Sequence, residues 1–143
     1  ERGRVVVAPL GVGGLAAQQA REGPCVERLV AEQMGPFDEP RSVVLVAEVG
    51  GAPAGFAMVV DRGEVAWLED LWVDPAHQRS GIGAALVAAV CDLGRSWGSA
   101  AVELESDPDA EPFYLAQGAV RIGVRASTLR PGVDLPQMRF ALQ

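Results

Sequence analysis

The sequence predicts an α/β fold of the α+β kind, a mixed, mostly antiparallel central sheet flanked by helices, in one domain over residues 1–143. Three observations carry that expectation. The chain has 143 residues, 49% of them apolar and 22% charged, which suits one closed core and no disordered tail or repeat array. Its middle holds three β-rich runs joined by short turns, and one long helical repeat follows them.

Arg4 to Leu10 reads as a short apolar strand, followed by Gly11-Val12-Gly13-Gly14 and the helix formers Leu15-Ala16-Ala17-Gln18-Gln19-Ala20. Gly23-Pro24 breaks that helix; Val26, Leu29, Val30, Gln33 and Met34 then continue at helical spacing until Gly35-Pro36. Two short helices are therefore expected before residue 36. Val43 to Val49 and Gly55 to Val60 are strands linked by the hairpin turn Gly50-Gly51-Ala52-Pro53-Ala54. Asp61-Arg62-Gly63 turns the chain into a third strand, Glu64 to Val73, which Asp74-Pro75 ends.

Gly81-Ile82-Gly83 opens the long helix, with Ile82, Leu86, Val90, Leu93 and Trp97 as its inner stripe and Gly98 as its stop. Ala100 to Leu104 is a short strand. A short helix follows, with Asp109 as its N-cap, Pro112 in its first turn and Gly118 just past its end. Val120, Ile122 and Val124, then Met138, Phe140 and Leu142, alternate with polar or small residues as two closing strands. The predicted order is β-α-α-β-β-β-α-β-α-β-β.

Nineteen acidic residues against twelve basic ones give a net charge of −7, which argues against a bulk electrostatic grip on nucleic acid or anionic membrane and favours a cationic partner. No apolar run is long enough to cross a membrane or to serve as a secretory segment, and a cytoplasmic setting is expected. Cys25 and Cys91 cannot build a disulfide framework, nor, with the lone His77, a four-ligand zinc site; no metal is expected. His77 reads as a solvated loop residue and Cys91 as a small buried hydrophobe.

Chemistry is expected where Val73-Asp74-Pro75-Ala76-His77-Gln78-Arg79-Ser80-Gly81-Ile82-Gly83-Ala84 runs from a strand into the long helix. Consecutive N–H groups at a helix start, with glycines that let a ligand approach the backbone, suit a diphosphate. The same glycines also suit a tight turn with close helix packing. No Lys-Ser/Thr follows Gly83, so this is not a nucleoside-triphosphatase loop.

Gln78-Arg79-Ser80-Gly81-Ile82-Gly83-Ala84, after a strand ending Leu71-Trp72-Val73-Asp74-Pro75, resembles the Gln/Arg-x-x-Gly-x-Gly/Ala signature of the GNAT superfamily of acyl-CoA-dependent N-acyltransferases. Asp107-Pro108-Asp109-Ala110-Glu111-Pro112-Phe113-Tyr114 with Gly118 is similar to a second segment of that family. Asp107 stands where Asn is usual, and an ionised Asp accepts hydrogen bonds but donates none, which affects any pantetheine contact made there by an amide. Ala119 stands where an aromatic residue is common.

The resemblance implies acetyl-CoA as co-substrate and transfer of its acetyl group to a primary amine of a small molecule or peptide by direct attack. It implies that Gln78, Arg79, Ser80, Gly81, Ile82, Gly83 and Ala84 hold the diphosphate and that Leu71, Trp72 and Val73 offer main-chain groups to pantetheine, with the Leu71 amide near the acyl oxygen. Tyr114, the chain's single tyrosine, takes the place of the general acid at the departing thiolate; its plain alternative is a core ring beside Phe113. Glu69 is the expected base, because regular strand parity puts it on the face of Leu71 and Val73, with Asp70 and Glu103 behind it; a bulge would reverse that parity. Trp67 shares that parity and Trp72 does not; either is expected to pack or to meet an amine by cation–π contact.

Two other readings stand beside this one: an acyl-CoA-binding sensor without turnover, and a dinucleotide-binding protein built on Gly11-Val12-Gly13-Gly14-Leu15-Ala16. The acceptor amine is not readable, and a homodimer is left open.

Overall fold

The structure is a computed structural model that describes residues 7–9, 28–34, 42–77 and 81–142. The expected helix at 15–20 and the Gly11-Val12-Gly13-Gly14 turn lie outside the described residues. Strand β1 (Val7–Pro9) falls within the first expected strand. Strand β2 (Arg28–Met34) corrects the second expected helix: this run pairs parallel with β1 and antiparallel with β3 (Ser42–Val49), residue for residue from Arg28↔Glu48 to Met34↔Ser42. Leu, Ala, Glu, Gln and Met favour a helix in isolation, and seven ladder positions beside a neighbouring strand outweigh that weak preference.

Gly50 and Gly51, at φ 60° and 80°, turn β3 into β4 (Ala52–Asp61), as a two-residue hairpin turn requires. Next come β5 (Val65–Val73), helix α1 (Ile82–Ser96), β6 (Ala101–Glu105), helix α2 (Glu111–Ala116), β7 (Val120–Ala126) and β8 (Asp134–Ala141). Among the described residues the sheet runs β1-β2-β3-β4-β5-β6-β8-β7, parallel at β1–β2 and β5–β6 and antiparallel elsewhere. The expected mixed, mostly antiparallel sheet with flanking helices is therefore present. No helix among the described residues is long and apolar enough to cross a membrane.

The core lies between the sheet and α1. Ile82, Leu86, Val90 and Leu93 are buried, as their spacing predicts, and Trp97 packs at the margin. They meet Val43 and Leu45 of β3, Ala57 and Val59 of β4, and Ala66 and Leu68 of β5. Cys91 is buried, which pushes its thiol up to about 11 and makes it a small hydrophobe. Ahead of α2, the chain takes one 3-10 turn over Pro108–Ala110, so Ala110 and not Asp109 occupies the N-cap position. Pro108 sets that turn one step upstream, and Pro112 still sits in the first turn of α2.

β5 carries the irregularity that shapes the site. Val59 pairs with Leu68 and Met58 with Asp70, leaving Glu69 as an extra residue between them. Before this bulge the core side of β5 is held by Ala66 and Leu68; after it, Leu71 and Val73 pack against the core. Trp67 opposite Val60 and Trp72 opposite Phe56 thus share a face, so the parity that separated the two tryptophans, and that set Glu69 with Leu71 and Val73, does not hold.

Candidate functional site

β5 and β6 run side by side only from Val65↔Ala101 to Leu68↔Leu104. Past Leu68, at the bulge, β5 has no further pairing with β6, whose chain goes on through Ser106 and Asp107 toward α2. The gap is a cleft of about 750 Å³. Leu71, Trp72, Val73 and Pro75 form one wall; Asp107, Asp109, Ala110, Phe113 and Gln117 form the other; Gly81, Gly83 and Ala84 form the floor at the start of α1.

The floor is glycine for two local reasons. Gly81 precedes α1 at φ 88°, a left-handed conformation that L side chains rarely adopt. Gly83 lies under the Phe113 ring, where a Cβ would come 3.0 Å from Cζ. Tight turning and close helix packing, the plain alternative for a Gly-x-Gly, are therefore both present, and they bring bare main chain to the cleft. The first bond of the helical ladder runs from the Ala85 N–H to the Gly81 carbonyl at 3.0 Å, so the N–H groups of Ile82, Gly83 and Ala84 precede it. The Ile82 side chain is in the core against Gly55 and Leu86, which leaves that residue only its main chain to offer. Gln78, Arg79 and Ser80 lie outside the described residues.

Tyr114 is not part of the cleft lining. It is buried, with its ring edge-on to Phe113 at 5.1 Å and to Phe140 at 6.4 Å. Burial first, and then the charges of Asp70 and Asp107, push its hydroxyl up to about 12. The core reading of this tyrosine describes its packing, and its tie to the cleft is electrostatic. Glu69 is exposed at the bulge. Glu103 is engaged elsewhere, accepting from Arg139 Nη1 at 2.6 Å. Trp67 already carries a cation, since Arg62 lies 4.6 Å over its ring, while Trp72 tilts against Phe56 at 5.9 Å and faces the cleft. His77 sits in the turn Pro75–His77, its N–H donating to the Asp74 carbonyl at 2.8 Å. Among the described residues no three His, Cys, Asp or Glu side chains gather as a metal set.

Of the residues the sequence reading singles out, Leu71, Trp72, Val73, Gly81, Gly83 and Ala84 line this one cleft. Of the opposite wall that reading discussed position 107 alone as a pantetheine contact; Asp109, Ala110, Phe113 and Gln117 were given no such role, although the segment from Asp107 to Gly118 contains them. The missed signal was the turn before α2, which faces the cleft with Asp107 and Asp109.

Residues 16–119 match the acetyltransferase (GNAT) family profile. Over 71 residues the chain is 35% identical to a glucosamine 6-phosphate N-acetyltransferase of Trypanosoma brucei brucei, a stretch that is 50% of this chain and 45% of that protein. The match thus spans less than half of that relative's length. Among solved structures, the ribosomal-protein-S18-alanine N-acetyltransferase of Escherichia coli superposes with a TM-score of 0.63 at 25% identity, over 71% of this chain and 70% of that one. An aminoglycoside 6'-N-acetyltransferase complexed with coenzyme A superposes with a TM-score of 0.67 at 15% identity, over 71% and 73%, a likeness of fold alone.

Proposed function

The chain belongs to the GNAT acetyltransferase family, and on that premise we propose that it moves an acetyl group from acetyl-CoA to a primary amine of a small molecule or peptide. The observation that carries this reading is the parting of β5 from β6 after Leu68, which opens a cleft directly onto the start of α1.

The residues present fit such a ligand. The N–H groups of Ile82, Gly83 and Ala84 at a helix start hold a diphosphate, and the family resemblance adds Gln78, Arg79 and Ser80, with the Arg79 cation, to that role. Leu71, Trp72 and Val73 have lost their β6 neighbour, so their main-chain groups on that side serve the pantetheine arm, and the Leu71 amide polarises the acyl oxygen. Acetyl-CoA, when bound, supplies a thioester carbonyl open to attack by an amine.

Proton handling falls to Tyr114 and a carboxylate of the bulge. Burial keeps the Tyr114 hydroxyl protonated, as a proton donor to a departing thiolate must be. Glu69 and Asp70 are the carboxylates of the bulge, where β5 parts from β6. The Asp70 charge is felt at the Tyr114 hydroxyl, and this favours Asp70 over Glu69 as the base. A proton taken from the amine by Asp70 removes a negative charge that holds Tyr114 up, which makes the phenol a readier donor. Asp70 pairs with Met58 and the core-side Leu71 with Ala57, so an amine on the Asp70 face arrives from the side opposite α1.

Thiol release from acetyl-CoA in the presence of polyamines, aminoglycosides, amino acids and peptide N-termini tests the reading, with thermal shift against acetyl-CoA and NAD beside it. Stabilisation by acetyl-CoA and amine-dependent release of free CoA are expected. Stabilisation by NAD alone overturns the reading; acetyl-CoA binding with no thiol release for any amine makes the protein a sensor.

A further inference from the structure

Three acidic residues on alternate positions, Glu103, Glu105 and Asp107, are each met by an arginine of the β7–β8 hairpin. Arg139 Nη1 donates to Glu103 at 2.6 Å. Arg125 Nε and Nη2 grip both oxygens of Glu105 at 2.5 Å, and Gln137 Nε2 adds a third donor at 2.7 Å. Arg130 Nη2 donates to Asp107 Oδ1 at 2.6 Å. The first two rungs tie β6 to the hairpin. The third lies past the end of β6, where Asp107 is part of the cleft wall.

That third rung does little for stability. Its side chains are 56% and 66% exposed, and an ion pair so open to water is weakly stabilising. Arg130 is nevertheless well placed by its own loop. Ser127 Oγ accepts from the N–H groups of Leu129 at 3.2 Å and Arg130 at 3.0 Å, and the Ser127 N–H donates to the Val133 carbonyl at 2.8 Å. The loop is closed on itself and presents the guanidinium to Asp107.

The wall that holds Asp107 is short of donors. Asp107 and Asp109 are carboxylates, which accept hydrogen bonds and donate none; Ala110 and Phe113 have no polar side-chain atom; Gln117 is the one side chain of that wall with an N–H. A pantetheine arm carries amide carbonyls as well as amide N–H groups, and a carbonyl left without a donor in a cleft costs binding free energy. A guanidinium has five N–H donors, of which the structure commits one to Asp107.

Resting on the acetyl-CoA reading above, we propose that Arg130 is a positioning residue for the cofactor: with Asp107 it forms an acceptor–donor unit on the α2 side of the cleft that meets an amide of the pantetheine arm, as a single carboxamide side chain would do alone. Asp107, in the cleft wall, supplies the acceptor, Arg130 supplies the donor, and the ion pair between them holds the guanidinium beside Asp107. Removing Arg130 strips the donor and leaves an uncompensated carboxylate facing the ligand.

The test is the dissociation constant of acetyl-CoA, measured by calorimetry on the wild-type chain, Arg130→Met, Asp107→Asn and the double variant, with thermal melts to establish folding. Arg130→Met, which has no N–H to donate, should weaken binding about tenfold, the worth of one charge-assisted hydrogen bond, with an unchanged melt. Asp107→Asn in the Arg130→Met background should return affinity to within about threefold of wild type, because the amide then donates and accepts by itself. The KM for acetyl-CoA should follow the same pattern, rising more than kcat falls. Arg130→Met binding as tightly as wild type, or a double variant as weak as Arg130→Met, overturns the proposal. A wild-type chain without affinity for acetyl-CoA overturns the function reading and this inference with it; wild-type affinity without the Arg130→Met loss overturns this inference alone.

Discussion

The Phe113 ring rests so closely on Gly83 that any side chain at position 83 would press on it: a Cβ there would stand 3.0 Å from Cζ and 3.1 Å from Cε1, and the ring would have to give by a few tenths of an ångström. This one contact joins the floor of the cleft, at the start of α1, to the wall built by α2. Gly83→Ala should therefore push the two apart, destabilising the fold by about 1–3 kcal/mol and weakening acetyl-CoA binding at the same time. A melt and a binding titration check it, and Phe113→Leu in the Gly83→Ala background should restore part of both.

Gly81 faces a different constraint. At φ 88° it holds the left-handed turn that starts α1, and Gly81→Ala should cost about 1–2 kcal/mol through backbone strain. The binding loss should track the loss of helix-start geometry, seen as weaker acetyl-CoA affinity with kcat at saturation little changed.

Tyr114 is the chain's single tyrosine, so tyrosinate absorbance reads it alone. Burial raises its pKa from 10.0 to about 12. The unfolded chain loses this proton first, so the stabilisation it represents is whole below pH 10 and is lost as pH climbs from 10.0 toward about 12. Denaturant midpoints across that range should fall for the wild type and fall less for Tyr114→Phe.

The same substitution separates chemistry from binding. Tyr114→Phe should lower acetyl transfer by about 100-fold while the acetyl-CoA dissociation constant stays nearly constant, because the ring, its packing on Phe113 and Phe140, and the cleft lining all remain. Equal losses in rate and affinity would refute a proton-donor role.

Asp70 and Glu69 are distinguished by pairing and charge. Asp70→Asn should reduce transfer by about 100-fold and Glu69→Gln by much less. Asp70→Asn should also move the Tyr114 titration downward, since it deletes a charge that raises the phenol; Glu69→Gln should leave it in place. Identical effects of the two variants on rate and titration would remove the preference for Asp70.

What could be read along the chain was local. The stripe of α1, its start at Gly81, the turns at Gly50-Gly51 and Gly118, and the strand runs from 42 to 73 follow from side-chain periodicity and backbone freedom within a few residues. The paired segments around Gly81-Ile82-Gly83 and Phe113-Tyr114 stood out by their resemblance to two family signatures, and the two sides of one cleft are built from them.

Everything that depends on two distant stretches meeting was decided by the tertiary structure. Residues 28–34 carry helix formers, yet they run as a strand because β3 offers a full ladder. The bulge at Glu69 belongs to the pairing of β4 with β5, not to either sequence, and it reverses the face assignments that strict alternation gives. Arg130 reaches Asp107 across 23 residues, and Asp70 reaches Tyr114 only through the folded sheet. Periodicity is a property of neighbours in sequence, whereas register, burial and charge coupling are properties of neighbours in space; the chain specifies the second kind only once its hydrophobic faces have closed on each other.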